Sequence, residues 1–275
     1  TNGKLSAVLP ACEWQDEADG SEPQYGVGGV CGYAGVTENR HISMCTNHAA
    51  VTGSSFTGGI VGQLAGPYET ADEWDRLFDG NPAAKSSLYQ CSSDGLILCG
   101  SNDGRYFGGI AGYVSRALIM EAESAGGRAE NFTYDITKSD LLKGDYVGGI
   151  AGCGKQSVFY DCFTRKNGYV LGQNYVGGIV GGMRGDHTWR IGGTNVTANA
   201  GYVIGNSYVG GIIGENINNK IEDCINNGIA AGYGSYIGGI VGYNDAEEGK
   251  TAEILDCASY LSDYNDAIYR MIVDQ

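Results

Sequence analysis

The sequence has few positive charges and no long hydrophobic run. Lys and Arg number 17 against 32 Asp and Glu, which gives a formal net charge of −15. Such a charge argues against nucleic acid and anionic membranes as partners. No apolar segment reaches the roughly 18 residues that a membrane-spanning helix needs, so we predict no membrane insertion. The chain starts at Thr1 and shows no signal peptide, and we expect it to be a mature or excised piece of a larger protein.

Residues for metal and nucleotide chemistry are also scarce. The chain has only three histidines and no Cys-x-x-Cys pair, the features that a zinc site usually requires. Neither an HExxH zinc-peptidase motif nor a GxxxxGK[ST] phosphate-binding loop occurs. The acidic stretches SNDG and YNDAEEG lack the alternating oxygen ligands of a calcium loop. We therefore predict no cofactor and no metal.

Glycine, by contrast, is abundant, at 47 of 275 residues. Much of it belongs to one motif, represented by YVGGIAG at residues 146–152. Successive copies lie 28 to 33 residues apart, except for intervals of 50 and 40. Because the motif recurs along the whole chain, it predicts one elongated domain of stacked units. The first glycines of the seven pairs are Gly28, Gly58, Gly108, Gly148, Gly177, Gly210 and Gly238.

Each unit contains three short apolar segments. The first has the pattern apolar-x-x-Cys, the second ends in glycine, as in GYVIG, and the third is the Gly-Gly motif. Segments of four to seven residues, rich in Val, Ile and Tyr and bounded by Gly, Asn, Asp or Ser, are typical of β-strands. We predict an all-β fold, a three-sided parallel β-helix (β-solenoid) of about seven coils. A short helical insertion and a C-terminal capping helix complete the prediction.

Three columns of side chains follow from stacking these units. The residue after each Gly-Gly pair is predicted to point into the core, as is the cysteine of each apolar-x-x-Cys segment. The aromatic residue two places before most pairs is predicted to form a ladder. The prediction leaves open whether these rings point into the core or outward. Nine cysteines leave at least one thiol without a partner in this chain. We interpret the repeated cysteines as small buried apolar side chains, with Cys12–Cys31 and Cys91–Cys99 as the disulfides to test first.

The recurring apolar-x-x-Cys, V-x-G and YVGGIVG segments resemble the GLUG-motif repeat. The resemblance covers roughly residues 25–257. This repeat is found in large secreted and cell-surface bacterial proteins and in the non-catalytic part of IgA-specific metallopeptidases. The resemblance implies an exported β-solenoid, extracellular or on the bacterial cell surface, that serves as a rigid display or adhesive module. It carries over no catalytic residue. The fourth unit departs from the pattern, with Tyr134-Asp-Ile at the place of its cysteine segment.

Segments outside the regular coils are where binding is predicted. We assign residues 1–24 to an N-terminal cap or linker, 25–257 to the repeats and 258–275 to a capping helix. Thr70 and Glu73 have capping-box spacing, so the insertion after the second repeat is predicted to contain a short helix. Its non-repeating aromatic residues, Tyr68, Trp74 and Phe78, form the possible partner-binding site. The partner is an unknown host or microbial surface protein or glycan.

Two other function classes remain open. Parallel β-helices include polysaccharide lyases and glycoside hydrolases, and Asp161, Asp223 and Asp256 each precede the cysteine of their unit. Asp161 and Asp223, two coils apart, are expected about 10 Å from each other, which does not exclude an inverting pair of carboxylates. Thr194, Met44 and Gln90 interrupt this acidic column, and we therefore favour a non-catalytic segment. An ice-binding solenoid would need Thr-x-Thr arrays, and the threonines here are scattered.

Overall fold

The protein is mostly β-structure arranged in parallel sheets. A computed structural model describes residues 4–6, 26–37, 41–68, 73, 81–101, 103–126, 144–185, 190–193 and 197–260. We call the part of the chain from one Gly-Gly pair to the next a coil. Equivalent strands of successive coils pair with one another in parallel, and this produces three seven-stranded sheets, one nine-stranded sheet and one three-stranded sheet. The all-β prediction and the predicted parallel stacking are confirmed.

Sheets 1 and 2 flank the Gly-Gly pairs. Sheet 1 holds the strands that lead into each pair: β2 Val27–Gly28, β7 Thr57–Gly58, β12 Gly104–Gly108, β16 Gly144–Gly148, β20 Asn174–Gly177, β25 Ser207–Gly210 and β30 Ile237–Gly238. Sheet 2 holds the strands that follow each pair: β3 Cys31–Gly35, β8 Val61–Ala65, β13 Ala111–Ser115, β17 Ala151–Lys155, β21 Val180–Arg184, β26 Ile213–Ile217 and β31 Val241–Asp245. The predicted Gly-Gly segment is therefore two strands that meet at a bend.

Sheets 3 and 4 flank the cysteine positions in the same way. Sheet 3 holds β4 Ile42–Ser43, β9 Leu88–Tyr89, β14 Leu118–Met120, β18 Val158–Tyr160, β22 Arg190–Gly192, β27 Lys220–Glu222 and β32 Glu253–Leu255. Sheet 4 holds β5 Thr46–Asn47, β10 Ser92–Ser93, β15 Glu123–Gly126, β19 Phe163–Leu171, β23 Thr197–Asn199, β28 Cys224–Asn226 and β33 Ala258–Ser259, with β24 Tyr202–Gly205 and β29 Ile229–Gly232 joined through β19. Sheet 5 holds β1 Lys4–Ser6, β6 Ala50–Gly53 and β11 Ile97–Cys99.

The three glycines of the motif are explained by close approach of neighbouring atoms. A Cβ atom on Gly148 would lie 1.9 Å from the Ala151 carbonyl oxygen. On Gly149 it would lie 2.1 Å from the Gly178 carbonyl oxygen and 2.4 Å from Thr164 Oγ1. On Gly152 it would lie 2.5 Å from a backbone nitrogen of the preceding coil. Carbon atoms do not approach other atoms so closely, so every glycine in YVGGIAG is required by packing.

The core is made of the predicted apolar columns. The residues after the Gly-Gly pairs are fully buried in the five middle coils: Ile60, Ile110, Ile150, Ile179 and Ile212. Cysteines at the predicted positions pack in the same cluster, and Cys91, Cys162 and Cys224 are buried. Both inward assignments are confirmed for these coils. The two end members are exceptions: Val30 has 50% of its surface exposed and Ile240 is partly buried, because the described chain places no coil on their outer sides.

A column of polar side chains, buried except for Ser259 at its end, lies two residues beyond the cysteine position. Its described members are Asn47, Ser93, Ser124, Thr164, Asn199, Asn226 and Ser259. These side chains hydrogen bond along the stack, as from Asn199 Nδ2 to Asn226 Oδ1 at 2.8 Å. They also contact the second glycine of each pair, as Asn199 does at Gly178. The Gly-Gly bend thus packs directly against the polar column, which satisfies polar groups inside the stack.

Several finer predictions are corrected by the structure. The cysteine position of the third coil is occupied by Ala122, after β14, and not by residues near Tyr134, which lie outside the described residues. In the fifth coil Thr197 pairs with Cys224, so the cysteine position there belongs to Thr197 and not to the residue after Thr194. Neither of the two disulfides to be tested first is formed in the structure, where Cys31 and Cys91 are free thiols; Cys12 lies outside the described residues.

The ends and the insertion are described only in part. Strand β1 extends sheet 5 from within the predicted N-terminal cap. Strand β33 pairs with β28, so sheet 4 continues two residues past the predicted boundary at 257. The capping helix is predicted for residues 258–275, but Ala258–Ser259 form a strand because they pair with β28, and residues 261–275 lie outside the described residues. In the insertion, Glu73 is helical, and α1 Pro82–Lys85 is a further short helix whose Ala83 packs against the main core.

Candidate functional site

The predicted binding residues divide between the core and the part of the chain that is not described. Tyr68 is only 4% exposed and belongs to the main core cluster. Its hydroxyl donates to the Lys85 carbonyl oxygen, which ties the insertion to α1, and its backbone N–H donates to the Arg116 carbonyl at 3.2 Å. Tyr68 therefore presents no ring at the surface. Trp74 and Phe78 lie outside the described residues, so binding by this insertion stays a prediction.

The acidic column of the enzyme hypothesis lies at a sharp backbone bend. Its described members all have φ between 49° and 53°: Met44, Gln90, Glu121, Asp161, Asp223 and Asp256. This left-handed conformation is unfavourable for most residues, and Asp tolerates it better than most side chains do. The bend accounts for the aspartates without a catalytic role. Asp161 directly follows β18 and Asp223 directly follows β27, and one further strand, β22, lies between these two strands, as the spacing predicts.

The most distinctive surface feature is a stack of aromatic rings beside the Gly-Gly pairs. We call it the aromatic ladder. Its members are Phe56, Tyr106, Tyr146, Tyr175, Tyr208 and Tyr236, and they all have φ between 48° and 67°. Ring centroids of neighbours are 5.1, 5.3, 4.4, 4.6 and 4.8 Å apart along this order. The predicted ladder is confirmed, and its rings lie nearly parallel from Tyr146 onward, with interplanar angles of 8° to 23°.

In the described part of the chain, the aromatic ladder is covered at one end and open at the other. Phe56 and Tyr106 are about as buried as core residues, at 5% and 4% exposure. Tyr113 packs edge-on against both rings, with centroid distances of 5.9 and 5.3 Å. Toward the C-terminus the rings become half-buried, and Tyr236 is 51% exposed. Among the described aromatic residues Tyr236 contacts Tyr208 and Tyr243 only, so no described ring covers the outer face of Tyr236.

A second column of side chains lies on sheet 2 beside the aromatic ladder, and we call it the floor column. It follows the last glycine of each motif, and its members are Tyr33, Gln63, Tyr113, Cys153, Gly182, Glu215 and Tyr243. Gly182 lies against the Tyr146 ring, which is 2.8 Å from the place where its Cβ would be. Tyr243 packs edge-on against Tyr208 and Tyr236. The absent side chain at Gly182 leaves room for the rings to lean onto the sheet.

One ion pair supplies charge to the middle of this surface. The Glu215 side chain is only 6% exposed and accepts hydrogen bonds from Arg184 Nη2 at 3.1 Å and Nε at 3.3 Å. Burial raises the pKa of the Tyr146 and Tyr175 hydroxyls, and the Glu215 carboxylate raises it further. Burial alone would lower the pKa of Arg184, but Glu215, Tyr146 and Cys153 together outweigh burial, and the pKa is raised. At neutral pH the surface therefore offers neutral tyrosine hydroxyls beside a charged guanidinium.

This arrangement is suited to binding and not to holding a metal. Stacked tyrosines combine large apolar area with hydroxyl groups that donate and accept hydrogen bonds. Nowhere in the described part of the chain do three or more His, Cys, Asp or Glu side chains gather as metal ligands would. The surface can thus accommodate a ligand with flat apolar faces and many hydroxyl groups.

The ladder itself is foreseeable from the sequence, but its open end and its floor are not. The floor column could have been found by aligning the residue that follows the last motif glycine, where Tyr113 and Tyr243 recur. Glu215 and Arg184 carry no repeat signal, since each occurs once in its column. The side chains of the floor column decide which rings are covered, as Tyr113 covers Phe56 and Tyr106.

Comparison with known proteins adds no relative. None of the family models matches the chain, and neither a curated protein nor a solved structure matches it. No helix within the described ranges is long and apolar enough to cross a membrane. The resemblance to the GLUG-motif repeat therefore stays a prediction from the motif.

Proposed function

We propose that this chain is a non-catalytic scaffold of the GLUG-motif type, displayed outside a bacterial cell or on its surface. In this proposal the chain closes into a three-sided β-solenoid of about seven coils. In-register pairing of all seven Gly-Gly strands supports the stack, since each first glycine pairs with the next one along sheet 1. A continuous parallel stack of this kind gives a rigid surface with fixed spacing between equivalent side chains.

The binding function rests on one observation, the opening of the aromatic ladder at Tyr236. Exposed aromatic residues on a rigid surface are the usual anchors of recognition. The half-exposed ring of Tyr236 and the hydroxyls of Tyr208 and Tyr175 offer an apolar face beside polar groups. The overall charge of −15 disfavours acidic ligands. A neutral bacterial or host surface glycan fits these properties best.

The test is binding of the intact chain to an immobilised panel of neutral and acidic glycans. We expect Tyr236→Ala to weaken binding to a neutral glycan roughly tenfold or more, since a binding anchor contributes over about 1.4 kcal/mol. Tyr260→Ala is the matched control, because Tyr260 is 57% exposed at the same end of the stack. Equal binding by wild type and Tyr236→Ala would reject this surface as the site.

The same panel tests the enzyme alternative. Release of soluble sugar products by the wild-type chain, abolished by Asp161→Ala or Asp223→Ala, would favour a carbohydrate-active enzyme of the β-helix class. Binding without product release would favour the scaffold. Failure to bind any glycan, with the fold intact, would overturn the glycan-binding part of the proposal.

A further inference from the structure

The cysteine positions form a continuous column with two pairs of adjacent cysteines. Along sheet 4 the column contains Cys45, Cys91, Ala122, Cys162, Thr197, Cys224 and Cys257. Cysteines of neighbouring coils therefore meet at Cys45 with Cys91 and at Cys224 with Cys257. Cys162 has Ala122 on one side and Thr197 on the other. The column thus contains two dithiol pairs and one isolated thiol.

The last pair has the geometry of a cross-link between coils. Strands β28 and β33 are paired in parallel, with Ile225 opposite Ala258, so Cys224 and Cys257 lie opposite each other. Cys257 Sγ lies 3.8 Å from the Ile221 carbonyl oxygen, within the coil that carries Cys224. Paired strands are about 4.8 Å apart, which falls within the range of roughly 4.4–6.8 Å between Cα atoms that a disulfide spans.

The two thiols of this pair differ in exposure and acidity. Cys224 is fully buried, whereas Cys257 is partly exposed. The hydrogen bond with Cys224 lowers the pKa of the Cys257 thiol to about 7. The same hydrogen bond, followed by burial, raises the pKa of Cys224, and Asp223 raises it further. An accessible thiolate next to a buried thiol is the arrangement in which one sulfur reacts first and the other displaces the product.

The buried thiols of Cys91 and Cys162 are not activated in this way. Burial is the main cause that raises the pKa of Cys91 to about 11, although Cys45 lies beside it. Burial likewise raises the pKa of Cys162 to about 12, and no cysteine occupies the neighbouring positions of its column. Since the thiolate is the reacting species, both thiols are expected to react slowly at neutral pH.

We propose that Cys224 and Cys257 form a reversible disulfide that joins the last described coil to the coil before it, with a small-molecule disulfide such as oxidised glutathione as the oxidant. The Cys257 thiolate attacks one sulfur of glutathione disulfide and expels one glutathione. Cys224 then loses its proton and attacks the Cys257 sulfur, which expels the second glutathione. Two electrons pass from the protein thiols to one glutathione disulfide, and the two thiol protons end on two molecules of glutathione.

The disulfide would hold the open end of the stack. In the last coil the strands lose their burial, and Ile254 and Leu255 are each 42% exposed. A covalent bond to the buried Cys224 opposes separation of this coil from the next. Formation would depend on the redox conditions around the protein, since cytosolic conditions keep thiols reduced and extracellular conditions allow disulfides.

The test is mass-spectrometric mapping of the intact chain after incubation with oxidised glutathione at neutral pH and alkylation of the remaining thiols. We expect a cross-linked peptide pair containing Cys224 and Cys257, formed at least tenfold faster than any product at Cys162. Cys162→Ser is the control variant and should give the same yield of cross-link. Cys224→Ser should stop at the mixed disulfide of Cys257 with glutathione.

A second measurement distinguishes a disulfide that stabilises the last coil from incidental oxidation. Hydrogen exchange of residues 237–259 should slow at least threefold on oxidation of the wild type and should not change in Cys224→Ser. The proposal is overturned if wild-type Cys257 remains as a stable mixed disulfide, if Cys224 or Cys257 instead pairs with another cysteine, or if the cross-link forms without slowing exchange.

Discussion

At the scale of single residues, the aromatic ladder holds a backbone conformation that glycine adopts most readily. Each φ above 0° in a non-glycine residue costs on the order of 1–3 kcal/mol. Each ring stacked on a neighbour contributes about 0.5–1.5 kcal/mol beyond its burial, and an inner ring such as Tyr175 has two neighbours. The two contributions are comparable, so the ladder can stabilise the bend that positions it. The sequence indicated the rings but not their left-handed backbone conformation, because stacking across coils opposes the local preference.

Gln63 gives a residue-scale prediction. Its side chain is fully buried between Tyr33 and Tyr113 in the floor column, and neither amide atom has a hydrogen-bond partner among the described residues. A buried polar group without a partner costs about 1–3 kcal/mol. We expect Gln63→Met to raise the free energy of unfolding by about 1 kcal/mol, measured by denaturant titration. Gln173→Met, at an exposed position, should change it by less than about 0.5 kcal/mol. A loss of stability in Gln63→Met would contradict the prediction.

The ion pair between Glu123 and Arg165 predicts a pH dependence. Arg165 Nε and Nη2 donate to the two carboxylate oxygens at 2.6 and 2.9 Å, and this hydrogen bonding lowers the pKa of Glu123. A carboxyl group with a lowered folded-state pKa contributes stability above its unfolded pKa and loses it as the pH falls through the folded value. Both side chains are about 40% exposed, so we expect less than about 1 kcal/mol.

The measurement compares the unfolding free energies of wild type and Glu123→Gln from pH 7 to pH 3. Their difference should be constant at neutral pH and should shrink below about pH 4.5, the ordinary carboxyl range. Glu248→Gln, at an exposed position, should show a smaller difference throughout. A difference that grows as the pH falls would contradict the sign.

At the scale of one element, the Gly-Gly segment contains two strands where its sequence pattern indicates one. Short apolar segments bounded by glycine predicted strands correctly, but each long segment became two strands on either side of a bend. The bends at Gly148–Gly149 and at Asp161 differ in mechanism, since the first needs the absence of a Cβ and the second a left-handed residue. The unit with Ala122 was misaligned because its cysteine is replaced by another small residue. Composition alone cannot give the register that pairing with the neighbouring coils imposes.

Gly149 provides the prediction at this scale. A methyl group there would meet the Gly178 carbonyl oxygen and Thr164 Oγ1 at 2.1 and 2.4 Å, and neither atom can move without disturbing the stack. Overpacking of this kind costs about 1–3 kcal/mol or more, so we expect Gly149→Ala to lower the unfolding free energy by about 3 kcal/mol. Gly100→Ala is the control, because the nearest atom there would be 3.5 Å away. Similar melting temperatures for the two variants would contradict the packing explanation.

At the scale of the whole molecule, the two ends of the stack differ from its repeated middle coils. The sequence predicts a repeated architecture and buried columns because neighbouring coils repeat one another. It cannot predict how the ends are finished, because the terminal segments do not repeat. We call the residues that follow the Gly-Gly pairs the Ile column. In the described chain this column becomes less buried at the C-terminal end, where Ile212 is fully buried and Ile240 is only partly buried. The ends are therefore where stability and exposure depend on residues outside the repeat.

Hydrogen exchange of the reduced protein tests this directly. The backbone N–H of each Ile-column residue donates to the equivalent carbonyl of the next coil, as from Ile150 to Ile179 at 2.9 Å and from Ile212 to Ile240 at 2.9 Å. For Ile240 the described residues contain no next coil and no acceptor. We expect its amide to exchange at least tenfold faster than that of Ile212, because amides at an open end exchange by local opening. The measurement is exchange resolved by residue with NMR. Equal protection of Ile240 and Ile212 would contradict an open end and would require residues beyond 260 to supply the missing acceptor, as the predicted C-terminal cap would.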